Sequence, residues 1–212
     1  MNYYRSIFSL LKTVLLAVVS LAVGIALHAV ETKALQPADL VKFAFNEITT
    51  ELKANSELYK ENAKQLQAVV EKGASPYFNF QRMTQIAAAR YWHDASDEQK
   101  SALAREFTTQ LIRSYAHILF NYRNAAAEVV SEELNDKGRM MVKLNVKDDR
   151  GELIHLFLLM EKNQEQWQII DVNVEGVSIV VTSRNRFSDE ITQKGLDGFI
   201  QSLKEENQRL AL

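Results

Sequence analysis

The residues of this sequence that could do chemistry are four histidines, one serine after a glycine, one acid inside an apolar strand and an Arg-Tyr-Trp triplet. His28, His93, His117 and His155 are scattered, and no two stand at the spacing by which imidazoles share a metal. Gly176-Val177-Ser178-Ile179-Val180 carries the first glycine of a nucleophile elbow but not the second, so Ser178 reads as a helix-capping hydroxyl. Asp171, between Ile170 and Val172, could be a base of raised pKa; the alternative is a structural acid paired with Arg90 or Arg184. Arg90-Tyr91-Trp92 could recognise an anion, or could end a helix where a cation meets the dipole. No glycine-rich phosphate loop occurs. The residues therefore make no catalytic constellation, and neither a catalytic residue nor a metal nor a resident cofactor is expected.

The elements that must position these residues begin with an export signal. Arg5 and Lys12 precede a fifteen-residue uncharged apolar run, Thr13 to Leu27, which is long enough for the translocon and short for a bilayer span. Cleavage is expected after Ala29, which leaves 30–212 as a single domain large enough to bury a core. Losing Arg5 and Lys12 with no acid takes the net charge from −2 to −4. With no run of Lys and Arg, that balance excludes a nucleic-acid partner, whose binding relies on clustered cations. The absence of cysteine removes disulfides, thiol chemistry and a lipidated anchor together.

Pro37 opens a helix with Val41, Phe45, Ile48 and Leu52 on one face. A second carries Tyr59, Ala63, Leu66 and Val70 and is expected to stop at Lys72-Gly73, a basic turn followed by a capping glycine. Asn79 caps a third, with Phe80, Met83 and Ala87 along one side. Ser96-Asp97-Glu98-Gln99 is a capping box for a fourth helix of about seven turns through Leu103, Phe107, Leu111, Tyr115, Ile118 and Tyr122. From Ala127 the hydrophobic period falls to two, and turns at 136–138, 148–151 and 162–165 divide four antiparallel strands, at about 127–134, 139–147, 152–161 and 166–175. The third strand is apolar on both faces. Ile154, Leu156, Leu158 and Met160 can meet the helices, whereas Leu153, Phe157 and Leu159 need another cover, for which a C-terminal helix is the simplest choice. Two helices follow, at about 177–191 and 196–207.

In order and spacing these blocks resemble a known family. Asn79-Phe80-Gln81-Arg82-Met83, Arg90-Tyr91-Trp92 and Ser96-Asp97-Glu98-Gln99 resemble three motifs of the MlaC family, also called the toluene-tolerance or Ttg2 family. Phe107, Leu111, Arg113, Tyr115-Ala116, Leu119 and Tyr122 resemble its long helix. Trp167, Asp171-Val172, Val174 to Ser178, Arg184, Phe187 and Gly195-Leu196-Asp197 resemble its C-terminal part. Asn79 stands where an Asp is usual, and Val181-Thr182-Ser183 where a Gln-Asn-Tyr is usual.

The resemblance implies an α+β fold, cone-like and related to nuclear transport factor, with helices wrapped around a curved four-stranded antiparallel sheet that encloses an apolar cavity. It also implies a periplasmic phospholipid carrier with bound phospholipid as cargo. Its partners would be an inner-membrane ABC transporter complex with an MCE-domain protein and an outer-membrane lipoprotein–porin complex, together maintaining outer-membrane lipid asymmetry. Physically, two acyl chains expose on the order of 20 kcal/mol of apolar surface at ~0.8 kcal/mol per methylene, so a carrier must cover them. The residues expected to line that cavity are Met83, Phe107, Leu111, Tyr115, Leu119, Val142, Leu144, Ile154, Leu156, Leu158, Ile170, Val172 and Val174. Two other readings fit the residues: a small-molecule enzyme with Asp171 as base, and an exported chaperone or adaptor that uses the second face of the third strand.

Overall fold

The computed structural model describes residues 35–209, so the export signal lies outside the described residues. Seven helices and one antiparallel sheet make up this region.

Helix α1 (Pro37–Ala54) starts with proline in its first turn and buries Leu40, Val41, Ala44 and Leu52. The expected second helix is two, α2 (Ser56–Glu61) and α3 (Ala63–Ala74). The break falls at Asn62, whose backbone leaves the helical region and whose side chain accepts a hydrogen bond from Gln65 N at 3.1 Å, capping α3. Gly73 is not the capping glycine expected: α3 continues through it to Ala74. A Cβ at position 73 would lie 3.1 Å from Ile48 Cγ1, so the bare backbone lets α3 approach α1.

Asn79 caps α4 (Phe80–Ala88) by accepting from Arg82 N at 2.8 Å, as its position predicts. The chain then breaks at Ala89, held at φ 49°, and restarts as the short α5 (Arg90–Asp94). Arg90 therefore opens a turn of helix rather than ending one. Ser96 and Gln99 form the expected capping box at α6 (Asp97–Asn121), 25 residues and about seven turns at 3.6 residues each.

The four long strands fall close to their expected limits: β1 (Ala126–Leu134), β2 (Met140–Lys147), β3 (Leu153–Asn163) and β4 (Gln166–Val174). A fifth, β5 (Val177–Ser178), was not expected; Glu175 and Gly176, both at positive φ, turn the chain back so that Val177 pairs with Val174. The spatial order is β1-β2-β3-β4-β5. The two expected C-terminal helices are halves of α7 (Ile179–Arg209), bent at Gly195, whose φ of 70° no helix interior accommodates.

Burial divides into three clusters. The first joins α4, α5, α6 and α7, the second packs α1 against the sheet, and the third lies between α1, α2, α3 and α6. The α7 helix packs on α4 and α6. It is not the cover expected for Leu153, Phe157 and Leu159: none of the three joins a cluster, and Leu153 stays exposed.

Candidate functional site

The register stacks the helix-facing side chains of three strands. Val142 pairs with Leu158 and Leu158 with Val172; Leu144 pairs with Leu156 and Leu156 with Val174. Val142, Leu144 and Leu158 are buried, and Ile154, Leu156 and Val172 pack half-buried beside them against Leu40, Val41 and Phe45 of α1. A bulge between Leu159 and Met160 shifts the pairing so that Met160 meets Ile169, and Ile170, fully buried, is the unpaired residue. This bulge keeps Trp167 and Ile169 on the same side as Val172 despite their odd numbers.

The thirteen residues expected to share one cavity are not one group in this structure. Met83, Phe107 and Leu111, with Tyr115 half-buried beside them, belong to the helical cluster. There Phe107, Phe187 and Phe199 meet edge-on at 5.0 and 4.7 Å. Leu119 packs in the third cluster, and the β-strand residues other than Ile170 and Val174 pack against α1. The α7 residues Val180, Phe187, Phe199 and Leu203 complete the helical cluster and were missing from the expected set. Their stripe was legible in the 3.6-residue period. What the sequence did not reveal is that α7 packs mainly on α4 and α6 and meets the sheet only at β4 and β5.

A groove of about 830 Å³ opens between α1 and α3, the scale of a small-molecule site. None of the thirteen residues lines it. Its floor is apolar: Leu52 and Val70 are buried members of the third cluster, with Ile48 and Val69 half-buried against them. Gly73 contributes only backbone there. The rim is polar. Phe43, Glu47, Thr50 and Glu51 project from one face of α1 at i, i+4, i+7 and i+8, and Lys72 of α3 and Tyr77, just beyond it, also line the groove. Phe43 and Tyr77 meet edge-on at 6.3 Å, and the Tyr77 hydroxyl donates to Glu47. Burial, then that carboxylate, pushes the Tyr77 pKa up to about 12. The Tyr59 hydroxyl donates to Glu51 at 2.6 Å, and this bond, with burial behind it, also raises its pKa to about 12. Both phenols therefore keep their protons through the physiological range and hold the two carboxylates in place.

Asp171 is not paired with Arg90 or Arg184. Ser178 Oγ donates to its Oδ2 at 2.5 Å and Val180 N to its Oδ1 at 3.1 Å, while Val181 N donates to Ser178 Oγ at 3.0 Å. The acid and the serine together cap α7, and the serine is the capping hydroxyl its neighbours predict. Arg184 instead donates to the Ile86 carbonyl at 3.1 Å, near the end of α4. Arg90 donates to the Tyr91 hydroxyl at 2.8 Å, and Tyr91 also bonds Thr192 of α7 at 2.9 Å. The Thr192 bond first, then Arg90, brings Tyr91 down to about 8. Trp92 is buried in the helical cluster. The triplet thus fastens α5 to α7.

On the other sheet face, Arg82 and Arg139 share Glu161, at 2.7 and 3.3 Å. The Arg82 hydrogen bond holds Glu161 below the usual carboxylate range, with burial opposing and Arg139 adding to it. His155 bonds Glu175, whereas His93 and His117 are exposed. Among the described residues no group of histidines and acids could hold a metal ion, and no helix is long and apolar enough to cross a membrane.

Comparison with known proteins places this geometry among relatives. The family model described as MlaC protein matches residues 42–205. A toluene tolerance protein, ttg2D, of Pseudomonas putida is 25% identical over 76% of this chain and 75% of its own length. The intermembrane phospholipid transport system binding protein MlaC of Haemophilus influenzae is 24% identical over 80% of this chain and 81% of its own. The solved structure of the phospholipid-binding protein from Ralstonia solanacearum, in complex with a phospholipid, aligns with a TM-score of 0.77 at 30% identity, covering 84% of this chain and 100% of that one.

Proposed function

Because the chain belongs to the MlaC protein family, we propose that it is a periplasmic phospholipid carrier, exported by its N-terminal segment and soluble after cleavage at about residue 29. It shuttles lipid between an inner-membrane ABC transporter complex, which presents an MCE-domain protein, and an outer-membrane lipoprotein–porin complex. The task served is outer-membrane lipid asymmetry. The observation that carries this reading is the likeness, over the whole of that chain, to a relative that holds a phospholipid.

The apolar faces support it. Acyl chains would lodge against the strand residues Val142, Leu144, Ile154, Leu156, Leu158, Ile170, Val172 and Val174, and against Met83, Phe107, Leu111, Tyr115 and Leu119 on the helices. All of these except Ile170 and Val174 pack within the three apolar clusters. An enzyme using Asp171 is disfavoured because both carboxylate oxygens already cap α7. Organic extraction of the purified protein followed by mass spectrometry tests the reading. Stoichiometric phospholipid is the expected result, and a folded, lipid-free protein that takes up none from vesicles would refute it.

A further inference from the structure

The groove between α1 and α3 is unlike an ordinary crevice between helices in three respects. Its floor is shared with the interior: Leu52 and Val70 belong to the third cluster, and Tyr77, on the rim, packs against the second. Its rim holds an aromatic side chain that does not pack inward, Phe43, 49% exposed beside Tyr77. And its charged lining is of both signs, Glu47 and Glu51 with Lys72.

Each carboxylate is fixed by a phenol and keeps free lone pairs, because an ionised carboxylate accepts about four hydrogen bonds. Glu47 is held by Tyr77, and Glu51 by Tyr59 and by Asn55 at 2.9 Å. A cation beside Glu47 also lies near the edge-on Phe43 and Tyr77 pair, and an aromatic face attracts ammonium groups. Lys72 supplies a point charge for a phosphate in the same groove. Two acids, two rings and one lysine over an aliphatic floor match an amphiphile whose headgroup carries a primary ammonium and a phosphodiester.

We propose that this groove is the headgroup subsite for one zwitterionic, ammonium-bearing phospholipid, its ammonium on Glu47 and Glu51, its phosphate on Lys72, and its first methylenes on Ile48, Leu52, Val69 and Val70. The proposal rests on the carrier reading and adds to it a place and a headgroup class. The tails supply nearly all the affinity; the groove supplies a modest preference, since contacts at an exposed rim are weak and screened.

The test uses the exported full chain, incubated with vesicles of equal phosphatidylethanolamine and phosphatidylglycerol, re-isolated and extracted for mass spectrometry. The wild type is expected to enrich phosphatidylethanolamine roughly two- to fivefold at low salt, and less at high salt. Glu47→Lys should abolish or invert the preference while total lipid stays near stoichiometric. Thr50→Trp, on an exposed rim position, should likewise erase the preference at an unchanged melting temperature, because an indole there fills the groove without entering the core. A wild type loaded with lipid at the vesicle ratio, with Glu47→Lys indistinguishable from it, would overturn the groove and leave the carrier standing. A wild type that takes up no phospholipid would overturn both.

Discussion

Removing the Asp171 carboxylate tests how the sheet holds α7. Two hydrogen bonds end on it, from Ser178 Oγ at 2.5 Å and Val180 N at 3.1 Å, at the positive end of a helix that runs from Ile179 to Arg209. Asp171→Asn keeps the shape and one acceptor but loses the charge; the dipole contribution of ~0.3–1 kcal/mol sets the scale, so about 1 kcal/mol is expected. Asp171→Ala removes both acceptors and strands a half-buried hydroxyl and a backbone N–H. Cap loss of ~0.5–2 kcal/mol together with charged hydrogen bonds of ~1.5–3 kcal/mol, which overlap and do not add in full, gives about 2–3 kcal/mol. For a domain of this size ~1 kcal/mol shifts the melt by about 2–4 °C, so alanine should lower it by about 5–10 °C and asparagine by about 2–4 °C.

The same experiment can distinguish the cap from an ion pair. Urea melts of Asp171→Ala, Ser178→Ala and the double variant should show losses that fall short of additivity by ~1 kcal/mol or more, because one interaction is removed twice. Arg184→Ala, whose guanidinium holds the Ile86 carbonyl, should add to Asp171→Ala without coupling. An alanine loss below about 0.5 kcal/mol, or strong coupling to Arg184 with none to Ser178, would refute the capping account.

Leu156→Asp and Val172→Asp place a charge on the helix-facing sheet, where an unpaired carboxylate costs several kcal/mol to desolvate; phospholipid recovery should collapse while export continues, with circular dichroism separating lost binding from lost fold. Glu161, depressed by Arg82 and Arg139, contributes stability that is present above the ordinary carboxylate pKa of about 4.3 and is lost as pH falls through its lower folded value. Glu161→Gln should therefore cost ~1 kcal/mol near neutral pH and nothing at strongly acid pH, read from melts across that range. Binding should weaken steeply as acyl chains are shortened, and a lysolipid should lose to its two-chain parent in competition, since each buried methylene contributes ~0.8 kcal/mol.

The sheet was legible because alternation has only two phases. With the turn at 136–138 placed, the parity of Val142, Leu144 and Val146 decides which side is buried, and the same reasoning carries across to Ile154, Leu156 and Leu158. It fails at Ile170, where one extra residue reverses the parity; nothing in Gln168-Ile169-Ile170-Asp171 marks a bulge before the pairing is known. Helix starts were legible where a side chain does the capping, at Asn79 and Ser96. The stop at Gly73 was misread because glycine serves equally for a left-handed cap and for close helix contact, and only the position of Ile48 separates the two uses.

The candidate site was less legible, for a reason that lies in the chemistry of its residues. Leucine, valine and phenylalanine at helical or strand spacing are what a core needs and also what an acyl chain needs, so pattern alone identifies apolar faces without assigning their occupant. Met83, Phe107 and Leu111 satisfied that pattern and meet Phe187 and Phe199 of α7. The groove had the opposite problem. Phe43, Glu47 and Thr50 lie on the side of α1 away from Val41, with Glu51 at the border beside Ala44, and all four are exposed, where a periodicity argument expects solvent and looks no further. An exposed phenylalanine among acids was the one available signal, and it acquires meaning only when Tyr77, 34 positions along the chain, stands beside it with its hydroxyl on Glu47. Polar faces are where a lipid carrier must meet the headgroup, because the tails leave their own contacts inside. Reading such a sequence for binding therefore requires asking of each amphipathic helix which apolar side chains sit on its wet face, as well as which sit on its dry one.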